Sequence, residues 1–175
     1  GKCLFPGTFT ALKNDAASFV VSTSPEAPAA FVDPLAATLL LGSPAAIDAA
    51  GCIWAPGNLT LDSGLRAYFK FNIAMRGEGF VFAIVDGNPS LNGNPPGCGA
   101  AGNSLGYAGS LFGTLNSPKI GLEIDTHQSP VRNDPGADHF AFVYWGGIDS
   151  TSDDNTHGAG VPGSATQPFN PRRLT

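Results

Sequence analysis

The sequence predicts a single all-β domain, an antiparallel β-sandwich of short strands joined by long loops. Three observations carry that expectation. Gly (23) and Pro (15) are abundant in a chain of 175 residues whose apolar runs are short, a composition suited to many strands and turns. The segment GLRAYFKFNI, residues 64–73, alternates with period two: Leu65, Ala67, Phe69, Phe71 and Ile73 fall on one face, Arg66, Tyr68, Lys70 and Asn72 on the other. No capped amphipathic stretch of helical length occurs, so helix should make up under about 10% of the chain.

In chain order, SFVV (18–21), TLLL (38–41) and GCIW (51–54) read as short strands, followed by the alternating strand at 64–73. GFVFAIVDG (79–87) is an apolar run closed by Asp-Gly, a strand entering a turn. Residues 87–118, rich in Gly, Asn, Pro and Ser, form a long loop. KIGLEID (119–125) and HFAFVYW (139–145) are two more strands, separated by THQSPVRNDPGAD, and from 146 onward turn-formers and polar residues dominate. No repeat or linker divides the chain, so residues 1–175 read as one domain, and with Gly1 in place of Met the chain is expected to be an excised or processed piece of a longer secreted protein.

Composition excludes several classes. Charged residues are 13% of the chain, the net charge is −5, and no basic cluster exceeds Arg172–Arg173, which argues against nucleic acid. The longest apolar runs, such as AATLLLG, cannot span a bilayer. Cys3, Cys52 and Cys98 form no CxxC; their odd number allows at most one internal disulfide, or three free thiols. A bridge would point to an oxidising, extracytoplasmic compartment. Asn58-Leu59-Thr60 fits the glycosylation sequon, a triplet frequent by chance.

Against this sparse charge, Glu123, Asp125, Asp134, Asp138 and His139 crowd into seventeen positions. In KIGLEID the alternation sends Ile120, Leu122 and Ile124 one way and Glu123 and Asp125 the other. Two carboxylates at i and i+2 lie roughly 7 Å apart along a strand. They are stable if solvated, or if they share a proton or a cation. The following loop returns Asp134 toward His139 at the head of the next strand. If the two strands are neighbours, Glu123, Asp125, Asp134 and His139 converge. Three carboxylates and an imidazole suit Mn²⁺ or another transition metal; Asp125 and Asp134 with a loop carbonyl and a side-chain oxygen suit Ca²⁺. A wet acidic face is the plainer alternative.

This loop resembles that of the L-type lectins, the legume and concanavalin A-like family. Their metal loop follows a strand reading V-x-V-E-[FL]-D-T-[YH], with binding residues two, four, six, eleven and sixteen positions past the first Glu. Counting from Glu123 gives Asp125, His127, Ser129, Asp134 and His139, with Asp134-Pro135 also in register. AAGCIWAPGNLTLDSG, RGEGFVFAIVD and GNSLGYAG are similar to further family segments, so the resemblance spans about residues 46–145. It implies a concanavalin A-like jelly roll and a transition-metal site from Glu123, Asp125, Asp134 and His139. It also implies a calcium site from Asp125, Asp134, the His127 carbonyl and Ser129, and a sugar site from Glu78, Gly106, Tyr107, His127 and Ser129. The implied function is calcium-dependent, non-catalytic carbohydrate binding by a secreted or cell-surface protein, with a glycan as partner.

The chain departs from the family at chosen points. Ser129 stands where the family has Asn, Glu78 where it has Asp, and His127 where it has Tyr or Phe; Glu78 and Asp138 are available as replacement ligands. The family's W-x-V-x-[IV]-x-Y segment after the metal loop is missing, so the jelly roll is expected to lack its last back-sheet strands or to receive them from elsewhere. Two other functions compete. One is a structural adhesion or assembly module with a protein partner. The other is a glucanase-like glycoside hydrolase, because EIDTHQ matches E-[IL]-D-x-x-E at Glu123, Ile124 and Asp125. Gln128 replaces the acid/base Glu and cannot donate the proton, so no enzyme is expected. Among other residues, Trp54 reads as core and His157, beside Asp153 and Asp154, as a solvated loop histidine. Tyr144 and Trp145 face opposite ways, and Tyr107 is either a sugar platform or a pin for its Gly turns.

Overall fold

The computed structural model describes residues 20–23, 31–33, 38–41, 50–55, 67, 69–73, 77–93, 96–108, 115–116, 118–132, 134, 138–145 and 164–168. Cys3, the Asn58 sequon and His157 lie outside the described residues, as do the side chains of Tyr144 and Trp145.

The strands are β1 (Val20–Thr23), β2 (Phe31–Asp33), β3 (Thr38–Leu40), β4 (Gly51–Trp54), β5 (Gly79–Val85), β6 (Lys119–Asp125), β7 (His139–Trp145) and β8 (Ser164–Pro168). The described helical elements are one short turn, α1 (Pro89–Asn92), and 3-10 turns at Gly102–Ser104 and Pro130–Arg132. Asn88 caps α1 by accepting from the Ser90 N–H. The described chain is therefore strand-rich and antiparallel throughout: β1 pairs with β4, β2 with β3, and a four-stranded sheet runs β5-β6-β7-β8.

The large sheet has an unusual polarity. Its register puts Gly79 opposite Asp125 and Asp125 opposite His139, Val81 opposite Glu123 and Glu123 opposite Ala141. All of these share one face, and that face is buried: Lys119, Glu123, Asp125, His139, Ala141 and Val143 are each under 4% exposed. The opposite face carries Phe82, Ile120, Phe140 and Phe142, which are 36–52% exposed, although Ile124 on the same face is buried. Phe69 and Phe71 pack onto part of it, with ring centroids 5.3 Å from Phe82 and Phe80 respectively.

What covers the charged face is the Gly-rich loop. Tyr107 and Ala108 form a buried cluster with Ala141 and Val143, flanked by Val81 and Ala83. The Tyr107 ring lies against Gly121, where a Cβ would stand 3.1 Å from a ring carbon and 2.5 Å from Val81 Cγ1. Only a glycine leaves that space. The Tyr107 hydroxyl donates to the Val143 carbonyl at 3.1 Å. Lys119, buried on β6, donates to the Tyr107 carbonyl at 2.7 Å and holds its ammonium 4.3 Å from the ring centroid.

Two sequence expectations are corrected. The described part of 64–73 joins no ladder; its burial alternates over 69–73, with Phe69, Phe71 and Ile73 half-buried and Lys70 and Asn72 exposed, while Ala67, expected on the apolar face, is exposed. Its apolar side chains dock through Phe69 and Phe71 on β5. Residues after 146 include β8, which pairs with β7 through Ser164–Pro168, so a further strand does follow the acidic loop. SATQP offers neither apolar alternation nor β-branched enrichment, and its Pro168 is the strand's last residue.

Candidate metal centre

The site grows from the end of the β6-β7 hairpin. Asp125 ends β6 and His139 begins β7, directly opposite each other and on the buried face. The intervening loop folds back through its 3-10 turn. The Ser129 N–H donates to the Asp134 carboxylate at 2.6 Å, and the Arg132 N–H to the Ser129 carbonyl at 2.9 Å. The His127 N–H donates to the Asp125 carboxylate at 2.7 Å, an Asx-type turn that opens the loop. The start of β5 supports this from beside: Thr126 donates its N–H to the Glu78 carbonyl at 2.9 Å and its hydroxyl to the Gly77 carbonyl at 2.8 Å. Gly79 has φ 134°, and a Cβ there would collide with the Ile124 carbonyl and stand 2.9 Å from Asp125 Cα. This close approach seats the β5 end against Asp125.

The result is a buried group of Asp125, Asp134 and His139, whose donor atoms all lie within 4.8 Å of one another. Glu123, fully buried and two residues back on the same face, is not part of that group. Ser129 is buried beside it through its bond to Asp134. The His127 imidazole turns outward, 60% exposed, with Nδ1 3.1 Å from Glu78 Oε2. Asp138, half-buried, adopts a left-handed backbone with φ 61°, which turns the chain into β7.

Gly106 and Tyr107 face inward. Gly106 is buried with φ 69°, and its carbonyl accepts the Gly99 N–H at 2.7 Å. Tyr107 is 1% exposed. Of the two roles the sequence allows for it, the structure gives the pin: with its ring on Gly121 and its hydroxyl on Val143, no ring face is open for stacking a ligand. A disulfide joins Cys52 of β4 to Cys98 in the same loop, leaving Cys3 as the residue outside the pair.

Electrostatics make the cluster tense. Burial pushes the Asp125 carboxyl up to about 7; the His127 N–H opposes this, while Asp134, Glu123 and Glu78 add to it by repulsion. Buried carboxylates of like sign are tolerated when a proton or cation neutralises them. Two carboxylates and an imidazole fit a divalent cation by donor chemistry, and the imidazole leans the set toward a transition metal, while the surrounding oxygens suit calcium. Asp125, Asp134 and His139 would hold it. The sequence did not reveal the bond from Arg132 Nη2 to Ser104 Oγ, 2.9 Å, or the Lys119–Tyr107 packing. Both depend on two loops meeting over one face, for which spacing along the chain gives no signal.

In comparison with known proteins, no family model, curated protein or solved structure matches this chain.

Proposed function

We propose that this chain is a calcium-dependent, non-catalytic carbohydrate-binding domain of the L-type lectin kind, built on a concanavalin A-like sandwich and acting outside the cytoplasm. One observation supports the reading above others: the residues at the family's metal offsets include Asp125, Asp134 and His139, and these converge in a buried cluster. A cation there would act by fixing the loop 126–138, so that its backbone and side chains meet sugar hydroxyls in a ready geometry. His127, exposed at the rim, and the half-buried Glu78 it meets are the side chains best placed to reach a glycan. The Cys52–Cys98 disulfide suits the extracytoplasmic setting.

The inward turn of Tyr107 favours a second reading, an adhesion module that uses the cation for stability and binds protein. A glycan array decides between the two. Binding by the calcium-loaded chain that vanishes with chelator supports the lectin; a metal-loaded chain that binds no glycan supports the adhesion module.

A further inference from the structure

We propose that Arg132 is a positioning residue that couples the cation cluster to the Gly-rich loop 97–108, an inference that rests on the metal reading above and extends it to a second segment of the chain. Arg132 closes the 3-10 turn between Ser129 and Asp134. Its N–H donates to the Ser129 carbonyl at 2.9 Å, and the Ser129 N–H donates to the Asp134 carboxylate at 2.6 Å. One turn therefore sets both the Asp134 carboxylate and the base of the Arg132 side chain. That side chain reaches across 28 positions of sequence to give Ser104 Oγ a hydrogen bond of 2.9 Å.

Ser104 is a joint of the receiving loop. It is 5% exposed, and its carbonyl accepts the Tyr107 and Ala108 N–H groups at 2.9 and 3.0 Å. The next residue, Leu105, has φ 56°, a left-handed conformation that a branched side chain holds only where its surroundings impose it. Gly102 and Gly106 on either side also have positive φ, 63° and 69°. The loop is bound to the sheet by Tyr107 and to β4 by the Cys52–Cys98 disulfide. Arg132 ties it to the acidic loop. A cation that draws Asp134 toward Asp125 and His139 fixes the turn at 130–132, and through Arg132 it holds Ser104. Coupling of this kind is reciprocal: whatever the cation gives the Gly-rich loop, an ordered Gly-rich loop returns in cation affinity.

The test uses the whole chain, with calcium and manganese titrated separately. It reads cation affinity by calorimetry and hydrogen exchange at the amides of 99–108 by mass spectrometry. In the parent chain, saturating cation should slow exchange across 99–108 by about tenfold. Ser104→Ala leaves the charge of the site unchanged. It should bind the cation about three- to tenfold more weakly, with exchange at 99–108 no longer responding to it. Arg132→Lys, which keeps the charge and a donor, should retain part of the response that Arg132→Ala loses. A merely structural Arg132 would lower the melting temperature of its variants and leave the cation response intact. Cation bound to the parent chain with unchanged exchange at 99–108 overturns the coupling and leaves the metal reading standing. So does a full response in Ser104→Ala or, if that variant fails to fold, in Arg132→Ala. No cation bound to the parent chain overturns both.

Discussion

Replacing Asp125 by Asn should stabilise the metal-free protein at neutral pH while removing its response to cation. Asp125 is 1% exposed, and its carboxyl is pushed from an ordinary 3.8 up to about 7, first by burial and then by Asp134, Glu123 and Glu78. A carboxyl whose folded pKa exceeds its unfolded value binds its proton more tightly when folded. Its stabilising contribution is present in full below about pH 4 and is withdrawn as pH rises toward 7. Each pH unit in that window withdraws about 1.4 kcal/mol, so the loss reaches at most roughly 4 kcal/mol. Asn resembles the protonated acid and keeps an acceptor for the His127 N–H. The gap in unfolding free energy, Asp125→Asn minus parent, should therefore be small at pH 4, widen to pH 7 and level off above it. Urea unfolding in chelator, from pH 4 to 8, measures this. Calcium at about a hundred times its Kd should then add about 2.7 kcal/mol to the parent. At about 2–4 °C per kcal/mol that is a rise of roughly 5–11 °C in Tm, with none in the variant. A variant less stable than the parent at pH 8 in chelator, or a gap that does not widen between pH 4 and 7, would refute the reasoning.

Two further substitutions probe the cover over the charged face. Gly121→Ala forces a methyl against Val81 and the Tyr107 ring and should cost about 2 kcal/mol by overpacking, read as a Tm lower by roughly 4–8 °C; a Tm within a degree of the parent's counts against the packing. Changing Cys52 and Cys98 together to Ser opens a loop spanning 46 positions. Chain entropy puts the loss at about 2–4 kcal/mol, measured as a lower urea midpoint, and an unchanged midpoint would mean that the bridge does not form.

Strands were legible where side-chain pattern and pairing agree. KIGLEID and HFAFVYW appear as β6 and β7 with the bounds the sequence gives them, and GCIW as β4. Each carries a run of apolar or alternating residues that a ladder can use on at least one face. The segment at 64–73 alternated most cleanly, yet its described residues join no ladder, because alternation reports which face is apolar and not whether a neighbouring strand is available. Phe31–Asp33 escaped notice because its apolar run is too short to show a period, and Ser164–Pro168 because it pairs without a hydrophobic signature of its own. At the site, the spacing from Asp125 to Asp134 and His139 anticipated the convergence, since it depends on one hairpin. The cover over the other end of that face was hidden, because it depends on Tyr107 closing on Gly121, Ala141 and Val143 from a loop that precedes β6. The inward position of Tyr107 followed from the missing side chain at Gly121, a relation between two residues that neither position announces alone.

The containment of Asp125, Asp134 and His139 within one antiparallel hairpin also bears on how the molecule is made. Strands β6 and β7 pair along their whole length, from Asp125 with His139 to Lys119 with Trp145. All three donors lie on that hairpin and its connecting loop, so the cluster needs no distant segment to assemble. The connection between the strands is long, and its closure carries an entropic cost that must be met before the ladder returns anything. A divalent ion bridging Asp125, Asp134 and His139 would meet that cost at the moment of closure. It would then act on the rate at which the hairpin zips as well as on the lifetime of the finished sheet, and it would seed the two central strands on which β5 and β8 must later align.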